Sequence, residues 1–126
     1  MIIPVNFPKA FDVSNTNLNE KLTINQLRYW NQAPTNLGVL EKNGINFSIT
    51  SSDLKNKKDF LKNIRKAIKN GLSEKTAIDA LTIIPAKYLN LNDKIGKLDK
   101  GFLANFLITS GPIFDDKTEI NENWVK

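Results

Sequence analysis

The sequence predicts an α/β fold in which two parallel strands combine with helices and a small antiparallel pair of strands follows. Apolar runs at 2–5 and 44–50 have the length and spacing of strands. Between the second of these and the next glycine-rich stretch, the segment 53–71 has the apolar spacing of a helix. A nearly continuous apolar run at 102–109 then predicts a further strand. Strands that alternate with helices are typical of α/β proteins.

The two predicted parallel strands each lead into a polar connection. The apolar run Ile2–Val5 passes into a loop, and Gly44–Thr50 passes into a stretch that contains Ser52 and Asp53. In α/β folds the carboxyl ends of parallel strands carry most of the chemistry, so these two residues are candidate site residues. Residues 9–25, rich in Asn, Asp, Ser and Thr, predict a long surface connection.

Several helices are predicted between and after these strands. The segments 24–30 and 34–43 have helical spacing, and 53–71 is the most regular, with apolar side chains every three or four positions. A glycine ends this last helix and Ser73 caps the next one. Pro85 is expected to break that helix and to begin a short final one.

The end of the chain predicts two antiparallel strands. Gly96 and Gly101 bracket a tight connection that precedes the apolar run 102–109. The segment 119–125 is amphipathic and is expected to pair with that run.

Composition narrows the chemistry that this chain can perform. It has 126 residues, 40% hydrophobic and 25% charged, as in one ordinary soluble domain. It contains no Cys and no His, which excludes disulfides, thiolate metal sites, cysteine nucleophiles and histidine bases. The first residues lack the features of a signal peptide, and no apolar run reaches the about 18 residues of a membrane span. The sequence predicts no membrane partner and leaves the cellular location open.

Basic residues are concentrated in one predicted helix. The segment 53–71 holds seven basic and two acidic residues, and its net charge of +5 equals that of the whole chain. Clustered Lys and Arg bind polyanions, so an alternative function is a non-catalytic basic binding or interaction module. No groove-reading motif accompanies the charge, and Lys on the outer face of an amphipathic helix is ordinarily solvated. Nucleic acid is therefore not an expected partner.

The second half of the chain carries an ordered signature that spans two elements. Its residues are Gly71-Leu72-Ser73-Glu74, Ala77, Ala80-Leu81-Thr82, Pro85-Ala86-Lys87, Leu89, Gly96, Leu98, Gly101 and Ala104-Asn105-Phe106-Leu107-Ile108. They follow the pattern G-L-S-x-x-x-A-x-x-A-L-T-x-x-P-A-K-x-L, then G-x-L-x-x-G-x-x-A-[DN] and an apolar strand. This signature resembles the carboxyl-terminal part of the amidohydrolase superfamily, most closely the imidazolonepropionase-like and related metal-dependent members.

The resemblance implies a fold and an activity. The implied fold is the last strands and helices of a partial TIM-type β/α barrel at residues 1–90, followed by part of a small flanking antiparallel β-sandwich at 91–126. The implied activity is hydrolysis of carbon-nitrogen bonds in non-peptide or cyclic amides, with water activated by one or two zinc-like divalent ions. Most of the family's metal ligands are His residues on earlier strands. This segment is therefore expected to hold no cofactor by itself and to be inactive alone.

The resemblance also implies where a metal ligand would lie. If Ile2–Val5 is the seventh barrel strand and Gly44–Thr50 the eighth, the family's Asp falls near Ser52, and Asp53 is the nearest carboxylate. Ser52 and Asp53 are accordingly the candidate catalytic residues, and Asp53 is the candidate metal ligand. A shift of one residue turns a strand side chain to the opposite side, so the favoured interpretation of Asp53 is a cap of the following helix.

The expected partners follow from the barrel strands that this segment lacks. They are the remainder of an amidohydrolase chain or a homo-oligomeric partner, with a small-molecule substrate once the site is complete. A partial barrel exposes an unpaired strand edge and part of its interior, and such surfaces favour association.

Overall fold

The computed structural model describes residues 1–11, 14 and 22–126. In chain order its elements are β1 (Ile2–Pro4), α1 (Ile24–Gln32), a 3-10 turn (Ala33–Thr35), α2 (Asn36–Lys42), β2 (Ser48–Thr50), α3 (Asp59–Lys69), α4 (Glu74–Leu81), α5 (Ile83–Tyr88), β3 (Phe106–Thr109) and β4 (Ile120–Trp124). This mixed arrangement confirms the predicted α/β class. The predicted connection at 9–25 lies largely outside the described residues. Within the described part of the chain, no helix is long and apolar enough to cross a membrane.

β1 and β2 form a two-stranded parallel sheet, as predicted. The register pairs Ile2 with Ser48 and Pro4 with Thr50. The Val5 N–H donates to the Thr50 carbonyl at 3.3 Å, so the pairing continues one residue past β1. The carboxyl ends of both strands consequently lie at the same edge of the sheet.

The hydrophobic core lies between this sheet and the helices α2, α3 and α4. Its buried residues are Val5, Leu37, Phe47, Ile49, Ile64, Ala67, Leu72, Ala77, Ala80 and Phe114. Ile64 and Ala67 belong to the apolar stripe that predicted α3, and both are fully buried. The stripe therefore faces the core, and the basic side chains of α3 occupy its other face.

α3 is shorter than the sequence pattern predicted. It begins at Asp59, with Lys58 at the N-cap position, and not at Asp53. The Asn56 side chain accepts a hydrogen bond from the Lys58 N–H at 3.0 Å. This local bond competes with helical hydrogen bonding, and residues 55–58 form bends and a turn before the helix.

α2 approaches the link between α3 and α4 closely. A Cβ atom built on Gly38 would lie 2.7 Å from the backbone carbon and oxygen of Gly71. Real Cβ atoms do not approach backbone atoms so closely, so this contact requires glycine at position 38. Gly71 itself has a φ of 108°, which suits the glycine predicted to end α3.

The start of α4 is held by two side chains. Ser73 Oγ accepts from the Thr76 N–H at 3.2 Å, which confirms Ser73 as the predicted cap. The Glu41 carboxylate on α2 in turn accepts from the Ser73 N–H at 2.8 Å, from Ser73 Oγ at 2.5 Å and from Thr76 Oγ1 at 2.7 Å. These hydrogen bonds, with the one from the Ser73 side chain as the largest cause, lower the pKa of Glu41 from its ordinary value.

The break between α4 and α5 falls at Thr82, so the prediction of a break at Pro85 is wrong by three residues. α5 begins at Ile83, which places Pro85 in its first turn. Backbone N–H groups there have no intrahelical partner, so a proline is accepted without the loss of a hydrogen bond.

β3 and β4 form the predicted antiparallel pair, with Phe106 opposite Trp124 and an irregularity at Ile108/Thr109. The Phe106 and Trp124 rings stack with centroids 5.9 Å apart. Every residue of β4 is exposed.

The link between the two strands is attached to the core. Phe114 is 8% exposed and belongs to the core cluster. Arg65 on α3 donates to the Phe114 carbonyl at 3.2 Å and to the Asp115 carbonyl at 2.9 Å. These contacts join the last part of the chain to α3.

Candidate functional site

The candidate site is the edge of the sheet where β1 and β2 end. We call Asn6, Ser51, Ser52 and Asp53 the strand-end rim. Ser52 and Asp53 are exposed in the turn after β2, and Asn6 is exposed in the loop after β1. The Asn6 Nδ2 group donates to the Asp53 carbonyl at 3.1 Å. The two strand ends therefore contact each other directly, as expected for parallel neighbours in an α/β sheet.

α3 holds the first strand end in place. Asn63 Nδ2 donates to the Val5 carbonyl at 2.7 Å. Val5 is fully buried, so this bond satisfies a carbonyl near the core and fixes the residue that precedes Asn6. The rim thus depends on a helix side chain as well as on the sheet.

Ser52 is placed by a neighbouring hydroxyl group. Its N–H donates to Thr50 Oγ1 at 3.2 Å, and the Thr50 hydroxyl donates to Ser52 Oγ at 3.3 Å. A serine hydroxyl is a weak nucleophile unless a base lies beside it, and this chain has no His. The arrangement suits Ser52 for hydrogen bonding to a ligand and not for covalent catalysis.

Asp53 adopts a left-handed backbone conformation, with a φ of 63°. Asp is one of the few non-glycine residues that adopt this region, at a cost of roughly 1–2 kcal/mol. Its carboxylate forms no hydrogen bond or ion pair with the other described residues. The predicted capping role of Asp53 is wrong, because α3 begins six residues later and has no side-chain cap. The carboxylate is therefore available to a ligand or to a metal.

The rim residues do not fit a metal ion on their own. A zinc site requires three or four protein ligands, and the rim has one carboxylate. Among residues 1–11, 14 and 22–126, no group of three or more His, Cys, Asp or Glu side chains is suitably placed. Lys57 Nζ also donates to the Ser51 carbonyl at 3.0 Å, which brings a positive charge to the rim. A metal centre here requires ligands from outside the described residues.

Sequence reasoning missed two residues of this edge. The sequence predicts a loop at Asn6, although a position directly after the buried Val5 is a signal for a rim position. Lys57 is one of the seven basic residues that the sequence predicts on a helix over 53–71, yet it lies in the turn before α3 and donates to the Ser51 carbonyl. Nothing in the local spacing indicates that second contact.

A family profile and a solved structure both relate this chain to amidohydrolases. The sequence profile described as "Amidohydrolase family" matches residues 32–126 of this chain. The crystal structure of an amidohydrolase from Thermotoga maritima MSB8 is similar, with 25% sequence identity and a TM-score of 0.66. The match covers 73% of this chain and 24% of that one, so this chain spans about a quarter of the length of that solved structure. A search of curated proteins found no match.

Proposed function

Because the chain belongs to the amidohydrolase family, we propose that it supplies the carboxyl-terminal part of a metal-dependent hydrolase that cleaves carbon-nitrogen bonds in non-peptide or cyclic amides. The observation that carries this proposal is the parallel pairing of β1 with β2, whose ends meet through the bond from Asn6 to Asp53. In β/α barrels the catalytic groups stand at this end of the strands.

The proposal assigns a different role to each part of the chain. Residues 1–90 supply the last strands and helices of a β/α barrel, and residues 91–126 supply part of the flanking β-sandwich. The parallel β1–β2 pair supports the first assignment, and the antiparallel β3–β4 pair supports the second. The exposed β4 and the unpaired edges of β1 and β2 are then the surfaces that further strands cover.

Within the complete site, the rim residues bind and orient the substrate. The exposed Ser52 hydroxyl donates a hydrogen bond to the amide carbonyl or to another polar group of the substrate. The unpartnered Asp53 carboxylate accepts hydrogen bonds or completes a divalent-metal site whose other ligands come from outside the described residues. Hydrolysis in this family requires a water molecule activated by a metal ion, and no group of three or more His, Cys, Asp or Glu side chains among the described residues is placed to hold one. The segment is therefore inactive by itself.

The test is metal content and turnover of the purified 126-residue chain. We expect less than one metal ion per chain by elemental analysis and no hydrolysis of a panel of amides and lactams, with or without added Zn²⁺. Stoichiometric metal together with turnover that falls in Asp53→Asn would contradict the claim that the segment is inactive alone.

A second candidate function is completion of a partner chain, without catalysis by residues of this segment. The exposure of β4 favours it, since Ile120 is 50% exposed and Trp124 is 53% exposed. Copurification over a salt series distinguishes this candidate from a basic module that binds a polyanion. A partner held by apolar contacts persists at high salt, whereas a ligand held by the basic face is released.

A further inference from the structure

We propose that the cleft between α3 and the loop after β1 binds a small organic anion, one that combines a phosphate or carboxylate group with an apolar part. The cleft has a volume of about 1010 Å³, at the upper end for small-molecule sites. One wall is α3, and residues 6–10 and 54–56 form the other. The cleft shares Asn6 with the strand-end rim but extends away from it along the helix.

Positive charge converges on this cleft. Its charged lining residues are Lys9, Lys55, Asp59, Lys62, Arg65, Lys66, Lys69 and Asp116. Asp116 forms ion pairs with two of these residues: Arg65 Nε lies 3.5 Å and Lys69 Nζ lies 3.4 Å from its carboxylate oxygens. Among the described residues, the other four lysines form no ion pair. The lining thus has six basic and two acidic residues, and a bound anion reduces the repulsion among the lysines that form no ion pair.

The wall opposite the helix carries an apolar patch among its polar residues. It is formed by Phe7, Pro8 and Ala10 from the loop after β1 and by Leu54 from the turn after β2. Lys66 Nζ lies 5.7 Å from the centroid of the Phe7 ring, so an ammonium group stands directly beside this wall. A ligand with an anionic group and an apolar group can pair with the lysines of the helix and pack against the apolar residues of the loop.

The same features argue against a single-stranded nucleic acid as the ligand. Proteins that bind single strands combine a basic groove with several aromatic platforms on which successive bases stack. Among the described residues that line this cleft, Phe7 is the one aromatic side chain. Lysines are point charges without the fork geometry of Arg, so they suit phosphate and carboxylate groups equally.

Calorimetric titration of the 126-residue chain at low ionic strength tests the proposal. The probes are phenyl phosphate, benzoate, inorganic phosphate and benzyl alcohol. We expect phenyl phosphate or benzoate to bind one to one, and the tighter of the two identifies the anionic group that the cleft prefers. Inorganic phosphate, which lacks the apolar part, and benzyl alcohol, which lacks the charge, should each bind at least about 5-fold more weakly. Binding of inorganic phosphate as tight as that of phenyl phosphate would overturn the role of the apolar wall.

Paired variants locate the site. We expect the double substitution Lys62→Gln with Lys66→Gln to weaken phenyl phosphate binding by about 10-fold or more, as for the loss of charge-assisted bonds. The matched control is Lys94→Gln with Lys100→Gln, two exposed lysines outside the cleft, which removes the same charge and should change binding by less than about 2-fold. Equal weakening in both double variants, or no binding of either aromatic anion, would overturn the proposal.

Two further measurements on the unmodified chain avoid any effect of the substitutions on folding. Raising the salt concentration to about 1 M shortens the screening length to about 3 Å and should abolish binding of the anion. Binding that is insensitive to salt would contradict the role of the lysines. If a single-stranded 12-nucleotide DNA binds more than about 100-fold tighter than phenyl phosphate, the proposal is overturned, because the ligand is then a nucleic acid and not a small anion.

Discussion

Replacing Glu41 by Gln tests the contact that joins α2 to the start of α4. The Glu41 carboxylate accepts three hydrogen bonds, two from Ser73 and one from Thr76. Gln keeps one oxygen acceptor, but it loses the negative charge and places an NH₂ group against hydrogen-bond donors. At least one of the three bonds is therefore lost, and those that remain are weaker.

The expected loss follows from the hydrogen bonds. A hydrogen bond to a charged group contributes about 1.5–3 kcal/mol, and a neutral one about 1 kcal/mol. Glu41 is only partly buried, which reduces these values. We expect Glu41→Gln to lower the free energy of unfolding by about 2 kcal/mol at pH 7.

The loss should depend on pH in a defined direction. The pKa of Glu41 is lowered in the folded chain, below its ordinary value of 4.5. The ionised carboxylate therefore stabilises the fold above pH 4.5, and this contribution disappears as the pH falls through the lowered pKa. The difference in the free energy of unfolding between the unmodified chain and Glu41→Gln should reach its full value at pH 7 and should decrease below pH 4.5.

Urea unfolding followed by circular dichroism at pH 7 and at about pH 3 measures both effects. The matched control is Glu119→Gln, which removes the same charge from an exposed side chain that forms no hydrogen bond among the described residues. It should change the free energy of unfolding by less than about 0.5 kcal/mol. A variant as stable as the unmodified chain at pH 7, or a deficit of equal size at pH 3, would refute the reasoning.

Three other substitutions test the packing that supports the candidate site. Gly38→Ala should destabilise the chain by about 1–3 kcal/mol, because the new Cβ atom would meet the backbone of Gly71. Helix propensity alone predicts that the substitution stabilises the chain by about 1 kcal/mol, so a raised melting temperature would contradict this contact. Asn63→Ala should cost about 1–2 kcal/mol in urea unfolding by leaving the Val5 carbonyl unpaired, and an unchanged midpoint would show that this bond is not formed. Ile64→Val should cost about 1 kcal/mol, since Ile64 is fully buried, and a neutral result would argue against its place in the core.

The elements of the fold were largely predictable, because periodicity along the chain reports which side of an element is apolar. The stripe of α3, the capping role of Ser73 and the antiparallel partner of β3 all follow from residues close in sequence. The start of α3 was not predictable from the stripe, because the turn made by Asn56 competes with the first helical turn. For the same reason the capping role of Asp53 was wrong.

The position of Ser52 and Asp53 directly after a strand was predictable, but their contacts were not. The position of Ser52 and Asp53 after a strand indicated an edge of the sheet. The left-handed conformation of Asp53 and its contact with Asn6 did not follow from any local pattern. Lys57 likewise reaches back to Ser51 across a turn that no spacing rule describes.

The sequence by itself determined the α/β class, the family signature and the absence of His and Cys, since these depend on composition and on short-range order. The tertiary structure decided which groups meet. Asn6 and Asp53 are 47 residues apart in the chain and become neighbours because β1 and β2 pair in parallel. Lysines of α3 line the same cleft as Phe7 and Pro8 because the loop after β1 runs beside that helix. Contacts of this kind arise from packing between distant segments, which local periodicity does not encode.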